Sequence, residues 1–156
     1  MKKLFKIFMI ILIILIVILI GRRVYYNIVG IAPIDLYLTK ENSEETIETN
    51  RGSYQWNDKG IYIIADSVSA SEMEFINVFN VKQGEKISFS EDNWTKASAV
   101  ILLEGSNGGV TRLVVNADLD ENYIEIPTIT GEFIMQLNFE SKKGNVWYAV
   151  KLNIEE

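Results

Sequence analysis

Between Phe133 and Ile154 apolar and polar residues alternate along two runs, on either side of Ser141-Lys-Lys-Gly144. A period of two marks a strand with one buried face, and two such runs around a Gly-containing turn mark a hairpin. Setting Glu140 opposite Asn145 places Phe139 against Val146, Leu137 against Tyr148, Met135 against Val150 and Phe133 against Leu152. Every core-side pair is then apolar, and a slip of one residue would turn one strand inside out. The same pairing sends Trp147 to the opposite face, with Asn138 directly across from it and Gln136 on the diagonal.

The rest of the chain after residue 33 follows the same logic with shorter runs. Ile34–Thr39, Gly52–Trp56, Ile61–Ala65, Lys86–Phe89, Ala97–Glu104, Val110–Val115 and Tyr123–Ile126 read as strands, separated by turn chemistry such as Asn57-Asp-Lys-Gly60 and Gln83-Gly84. Pairing Glu104 with Val110 across Gly105–Gly109 puts Ile101 opposite Leu113 and Ala99 opposite Val115. Lys40–Asn50 is Glu-rich and without period, which predicts an exposed loop. Over Asp66–Asn80, Ser69-x-x-Glu72 and Ser71-x-x-Glu74 fit a capping box, and Met73, Ile76 and Phe79 recur at helical spacing. That pattern predicts a short helix or helical turn. About seven short strands at turn-punctuated spacing imply an all-β, immunoglobulin-like sandwich over residues 34–156. Gly131-Glu-Phe133 echoes the Gly-x-Tyr that opens the F strand of such domains, with Phe in place of the tyrosine.

The N-terminus is a different kind of sequence. Ile7–Ile20 contains no polar residue, and Leu4–Gly21 is broken only by Lys6. Eighteen helical residues rise about 27 Å against a hydrocarbon core of about 30 Å, and the lysine stem can snorkel to the headgroups. A buried core helix is the bland alternative, and the uniform apolarity of the run together with its basic flanks favours a membrane span over it. A cleaved signal peptide is the other alternative. Arg22 and Arg23 follow the run directly, however, with no small-x-small site near its end, and the small residues of Gly30-Ile31-Ala32 come late and precede Pro33. No cysteine follows to carry a lipid. The sequence therefore predicts an uncleaved transmembrane helix over residues 1–23 and a short stalk over residues 24–33. Lys2, Lys3, Lys6 and the α-amine outnumber Arg22 and Arg23 across the run, which predicts a cytoplasmic N-terminus and an external C-terminal domain. Tyr25 and Tyr26 stand where an interfacial aromatic belt would lie.

Beyond Arg23 the chain carries ten basic and 21 acidic residues, a net charge of −11. Nucleic acid is a poor partner for such a surface. With no Cys and no His in the 156 residues, the chain lacks disulfides, thiol nucleophiles and zinc cages of the usual type, and neither Ser-His-Asp nor Cys-His catalysis is available. Asp118-x-Asp120-x-Asn122 opens like a calcium loop, but Tyr123 replaces the glycine at the sixth position and Ile129 the glutamate at the twelfth. A solvated acidic loop is expected there. No carboxylate spacing selects the pair that a glycosidase needs. The sequence predicts a non-enzyme without cofactor or metal.

Gly52-Ser-Tyr-Gln-Trp56, Lys59-Gly60, Ala65-Asp-Ser67, Val81-Lys-Gln-Gly-Glu-Lys-Ile87, Pro127, Gly131-Glu-Phe133 and Gly144-Asn-Val-Trp-Tyr-Ala-Val150 occur in an order that resembles an uncharacterised extracytoplasmic domain of Bacillus-type Firmicutes. That domain occurs behind a membrane anchor or a lipoprotein signal. The resemblance covers roughly residues 52–154 and implies export and a bacterial source, with no functional residue to carry over.

The candidate binding residues are Trp147, Asn138 and Gln136. An indole beside amides suits a sugar ring or a peptide. The competing expectation is that Trp147 lies beneath the Lys40–Asn50 loop as partial core; Tyr54, Trp56 and Trp94 are expected in the core or at its edge. Two functions are compatible with the sequence. One is a membrane-tethered binding or interaction module for a cell-wall component or a neighbouring membrane protein. The other is an accessory subunit pairing through its anchor, although Ile7–Ile20 lacks a small-xxx-small pattern.

Overall fold

A computed structural model describes residues 2–29, 32–41, 43–58, 60–90, 93–104 and 110–156. An α-helix, α1 (Lys2–Val29), precedes twelve strands. The helix runs on through Arg22 and Arg23 to Val29, so the first six residues of the predicted stalk are helical, not extended. Its 28 residues rise about 42 Å. Every large apolar side chain from Ile7 to Ile20 is exposed. Among the described residues no helix is both long and apolar enough to cross a membrane. The unbroken run of described side chains in α1 is Lys6–Gly21, so that statement does not extend to Leu4 and Phe5. The side chains of Tyr25 and Tyr26 lie outside the described residues.

One sheet consists of β1 (Tyr37–Lys40), β2 (Thr46–Glu48), β6 (Lys86–Phe89), β9 (Ala117–Asp118) and β10 (Tyr123–Glu125), in the order β2-β1-β6-β10-β9. The other holds β3 (Asn50–Asp58), β4 (Ile61–Ala65), β7 (Trp94–Glu104), β8 (Val110–Val115), β11 (Gly131–Ser141) and β12 (Gly144–Glu155), in the order β4-β3-β12-β11-β7-β8. A further strand, β5 (Val78–Lys82), runs parallel to β12, and every other pairing is antiparallel. The described chain thus has more strands than the seven or so expected.

The C-terminal hairpin has the predicted register at every pair, from Phe133–Leu152 to Glu140–Asn145. So has β7–β8, with Ile101 opposite Leu113 and Ala99 opposite Val115, while Gly105–Gly109 lies outside the described residues. The inward residues Met135, Leu137, Phe139, Tyr148, Val150 and Leu152 are buried. They meet Leu36, Leu38, Ile87, Phe89 and Ile124 of the other sheet in one core. Phe139 sits at its centre, with the Phe89 ring 5.2 Å away edge-on and Tyr148 at 6.0 Å. Trp56 is buried, and Phe133, Tyr54 and Trp94 are partly buried against the same cluster. The Tyr148 hydroxyl donates to the Ile34 carbonyl at 2.6 Å, which ties the entry of the domain to its last hairpin.

Two sequence expectations are corrected. Lys40–Asn50 is not a loop without structure. Thr46–Glu48 forms β2, which turns back on β1 with Leu38 opposite Ile47. Asp66–Asn80 is not helical beyond a single 3-10 turn, Ala70–Glu72. Phe79 and Val81 are buried as alternate residues of β5, whereas Ile76 is 98% exposed and serves no apolar helix face. The capping box is real but local. The Glu72 carboxylate accepts from the Ser69 amide at 3.2 Å and from its hydroxyl at 2.6 Å, and these bonds hold the Glu72 carboxyl below its ordinary pKa.

Candidate functional site

The outward face of the larger sheet is divided in two. The segment from β4 to β5 crosses one half. Asn50 donates to the Glu74 carbonyl at 2.8 Å, Ala70 is buried, and Ser71 lies beside Leu102, Ile134 and Lys151. Ala149, an outward residue of β12, is fully buried. Toward the β11–β12 turn lies an open groove of about 350 Å³, lined by Ser53, Gln55, Ile64, Asp66, Asn138 and Trp147 among others.

Trp147 points away from the core, as the alternation requires, and is half-buried. What covers it is β3 and not the Lys40–Asn50 segment. Val146 pairs with Tyr54 and Tyr148 with Arg51, so Gly52 and Ser53 together oppose Trp147 in a β-bulge. The indole lies against Gly52, where an added Cβ would overlap its six-membered ring. Its Nε1 donates to the Ser53 hydroxyl at 2.7 Å. The ring is therefore held at a fixed angle by a neighbour without a side chain and by one hydrogen bond.

Asn138 lies opposite Trp147 on β11 and opposite Ser98 on β7. The Gln136 amide donates to the Asn138 carbonyl oxygen at 2.8 Å, and the Asn138 amide reaches Ser98 Oγ at 3.5 Å. The three predicted residues thus share one face. Trp147 and Asn138 line the groove, while Gln136 acts at one remove, orienting the Asn138 side chain. Sequence reasoning missed Ile64 of β4, which lines the groove. Tyr62, outside the groove on the same strand, is like Ile64 57% exposed, and its hydroxyl approaches Gln55 Oε1 at 3.4 Å. The signal was present in Ile61–Ala65, whose outward residues Tyr62 and Ile64 are too apolar for a face left to water. The groove offers an aromatic plane, amide donors and acceptors, and the carboxylates of Asp66 and Glu140 at its margin. This is binding chemistry for a neutral polar ligand with apolar faces.

The acidic loop before β10 is occupied by its own backbone. Asp118 Oδ1 accepts from the amides of Asp120 and Glu121 at 2.8 and 3.1 Å, and Asn122 closes the turn at φ 54°. Among the described residues no group of three or more acidic side chains converges in a way that could hold a metal ion. Comparison with known proteins finds no matching family model, no similar curated protein and no similar solved structure.

Proposed function

We propose that this chain is a single-pass, membrane-tethered binding module whose external domain is an immunoglobulin-like sandwich and whose ligand lies in the groove beside Trp147. The observation that carries the reading is that indole, fixed by Gly52 and Ser53 and facing the oriented amide of Asn138 on the uncovered half of the sheet. A rigid aromatic with a positioned amide beside it binds at low entropic cost. A cell-wall glycan or its peptide fits this chemistry, and the surplus of acidic residues disfavours nucleic acid. The reading assigns the chain no catalysis.

The immunoglobulin-like label is supported by strand order. The run β1-β6-β10-β9 corresponds to A-B-E-D, β12-β11-β7 to G-F-C, and β8 to C′. Strands β2 to β5 then lie between the first and second strands of that scheme. The anchor is supported by the uninterrupted apolar run of Ile7–Ile20, its exposed side chains and its basic flanks. The resemblance to exported Bacillus-type domains points the same way.

The test is cosedimentation of the full chain, in detergent, with purified cell walls. Truncating an aromatic anchor costs about 2 kcal/mol or more, so Trp147→Ala should weaken binding about thirtyfold. Asn138→Ala, which removes a half-buried amide from the groove wall, should weaken it with a smaller fall in melting temperature than a core truncation causes. Wall binding that is absent in the parent chain, or equal in all three proteins, would refute the groove as the site.

A further inference from the structure

We propose that β4 is a dimerisation edge, at which two copies of this chain pair antiparallel and join their larger sheets into one. Strand β4 ends its sheet. It pairs with β3 on one side, and among the described residues its other side makes no backbone hydrogen bond. Natural proteins protect such edges with charges, prolines or short length. The ends of the two main strand runs other than β4 are protected in that way, and β5, which among the described residues pairs with β12 alone, ends in Lys82. β8 carries Arg112 at its middle, β2 is three residues long and ends in Glu48, and β9 is two residues long and ends in Asp118. Only β4, among these edges, offers five consecutive residues without charge, proline or glycine, Ile-Tyr-Ile-Ile-Ala. Ile61, Tyr62 and Ile64 are all exposed. An edge of this kind is a template for an added strand.

The sequence of the edge selects a second copy as the added strand. Antiparallel pairing centred on Ile63 sets Tyr62 of one copy against Ile64 of the other, and Ile61 against Ala65. Aromatic and β-branched residues in direct opposition are favourable cross-strand pairs. The pairing also places both Trp147 grooves on the same face of one continuous sheet, since Tyr62 and Ile64 share that face with Gln55 and Asn145.

The absence of cysteine from the chain makes the register directly testable. Tyr62→Cys and Ile64→Cys are made separately in differently tagged full-length chains, in detergent micelles, and exposed to a mild oxidant. Opposed Cβ atoms in such a pair lie about 5 Å apart, close to disulfide reach. The mixture should give at least fivefold more disulfide dimer than either variant alone. In the parent chain, without the cysteines, Ile64→Lys should convert the protein from dimer to monomer in light scattering while its circular dichroism stays that of the folded domain. Tyr62→Glu provides a second, independent block should Ile64→Lys fail to fold. A monomeric parent chain, or equal crosslinking in all combinations, overturns the proposal. So does crosslinking only to a different protein.

Discussion

The Trp147 indole rests on Gly52 across a β-bulge, in space that any other residue at position 52 would occupy. The candidate ligand platform therefore depends on a residue that contributes no atom to the groove.

Gly52→Ala should displace the indole, break its bond to Ser53 and loosen the bulge. The steric cost of an extra carbon in a packed site is about 1–3 kcal/mol. Thermal denaturation should show a lower melting temperature than the parent, together with a loss of wall binding similar to that of Trp147→Ala. A variant with parental stability would mean that the ring moves freely.

Leu137→Ala removes a fully buried side chain between Tyr148 and Ala99 in the middle of the larger sheet. Lost transfer free energy and the cavity left behind amount to about 2–5 kcal/mol. Denaturant unfolding should report that loss, with wall binding retained under native conditions.

Glu72 gives the turn before β5 a pH dependence of known sign. Its carboxyl titrates below its ordinary value because Ser69 donates to the ionised form. A depressed pKa contributes stability above the unfolded value, and that contribution is lost as the pH falls through the folded value. The segment Asp66–Asn77 should therefore exchange its amides faster in acid than expected from intrinsic rates. In Ser69→Ala this acid dependence should shrink, as followed by hydrogen exchange across the acidic range.

The helix makes a further prediction. The full chain should remain in the membrane fraction through high salt and alkaline carbonate, because burial of fourteen apolar side chains is not weakened by screening. Protease added to wall-less cells should digest the domain. Release by carbonate would exclude an uncleaved anchor, and full protection from protease would reverse the orientation.

The hairpins were legible in the sequence because their alternation is strict and each partner lies nearby along the chain. Phe133–Glu140 and Asn145–Leu152 admit one register, and the folded chain uses it. Thr46-Ile-Glu48 was not legible, because three residues carry no period and the strand owes its existence to β1 beside it. At Asp66–Asn80 two patterns competed. The spacing of Met73, Ile76 and Phe79 suggested a helix, but the alternation of Phe79 and Val81 beside β12 prevailed, since burying both against Leu152 and Ile154 stabilises more than one capped turn. The direction of Trp147 could be read from its neighbours. Its support could not, because the bulge joins it to Ser53, 94 residues earlier.

Strand β12 follows every other described strand along the chain and yet lies in the interior of its sheet, between β11 on one side and β3 and β5 on the other. Until Gly144–Glu155 has been synthesised, β3 and β4 have no connection to β11, and Phe79 and Val81 have no partner strand. Partial chains are thus denied a stable fold, and closure waits on contacts between distant parts of the chain, which form slowly. If the domain is exported as proposed, this order of events keeps the chain threadable through a narrow translocation channel and postpones locking until β12 has reached the far side.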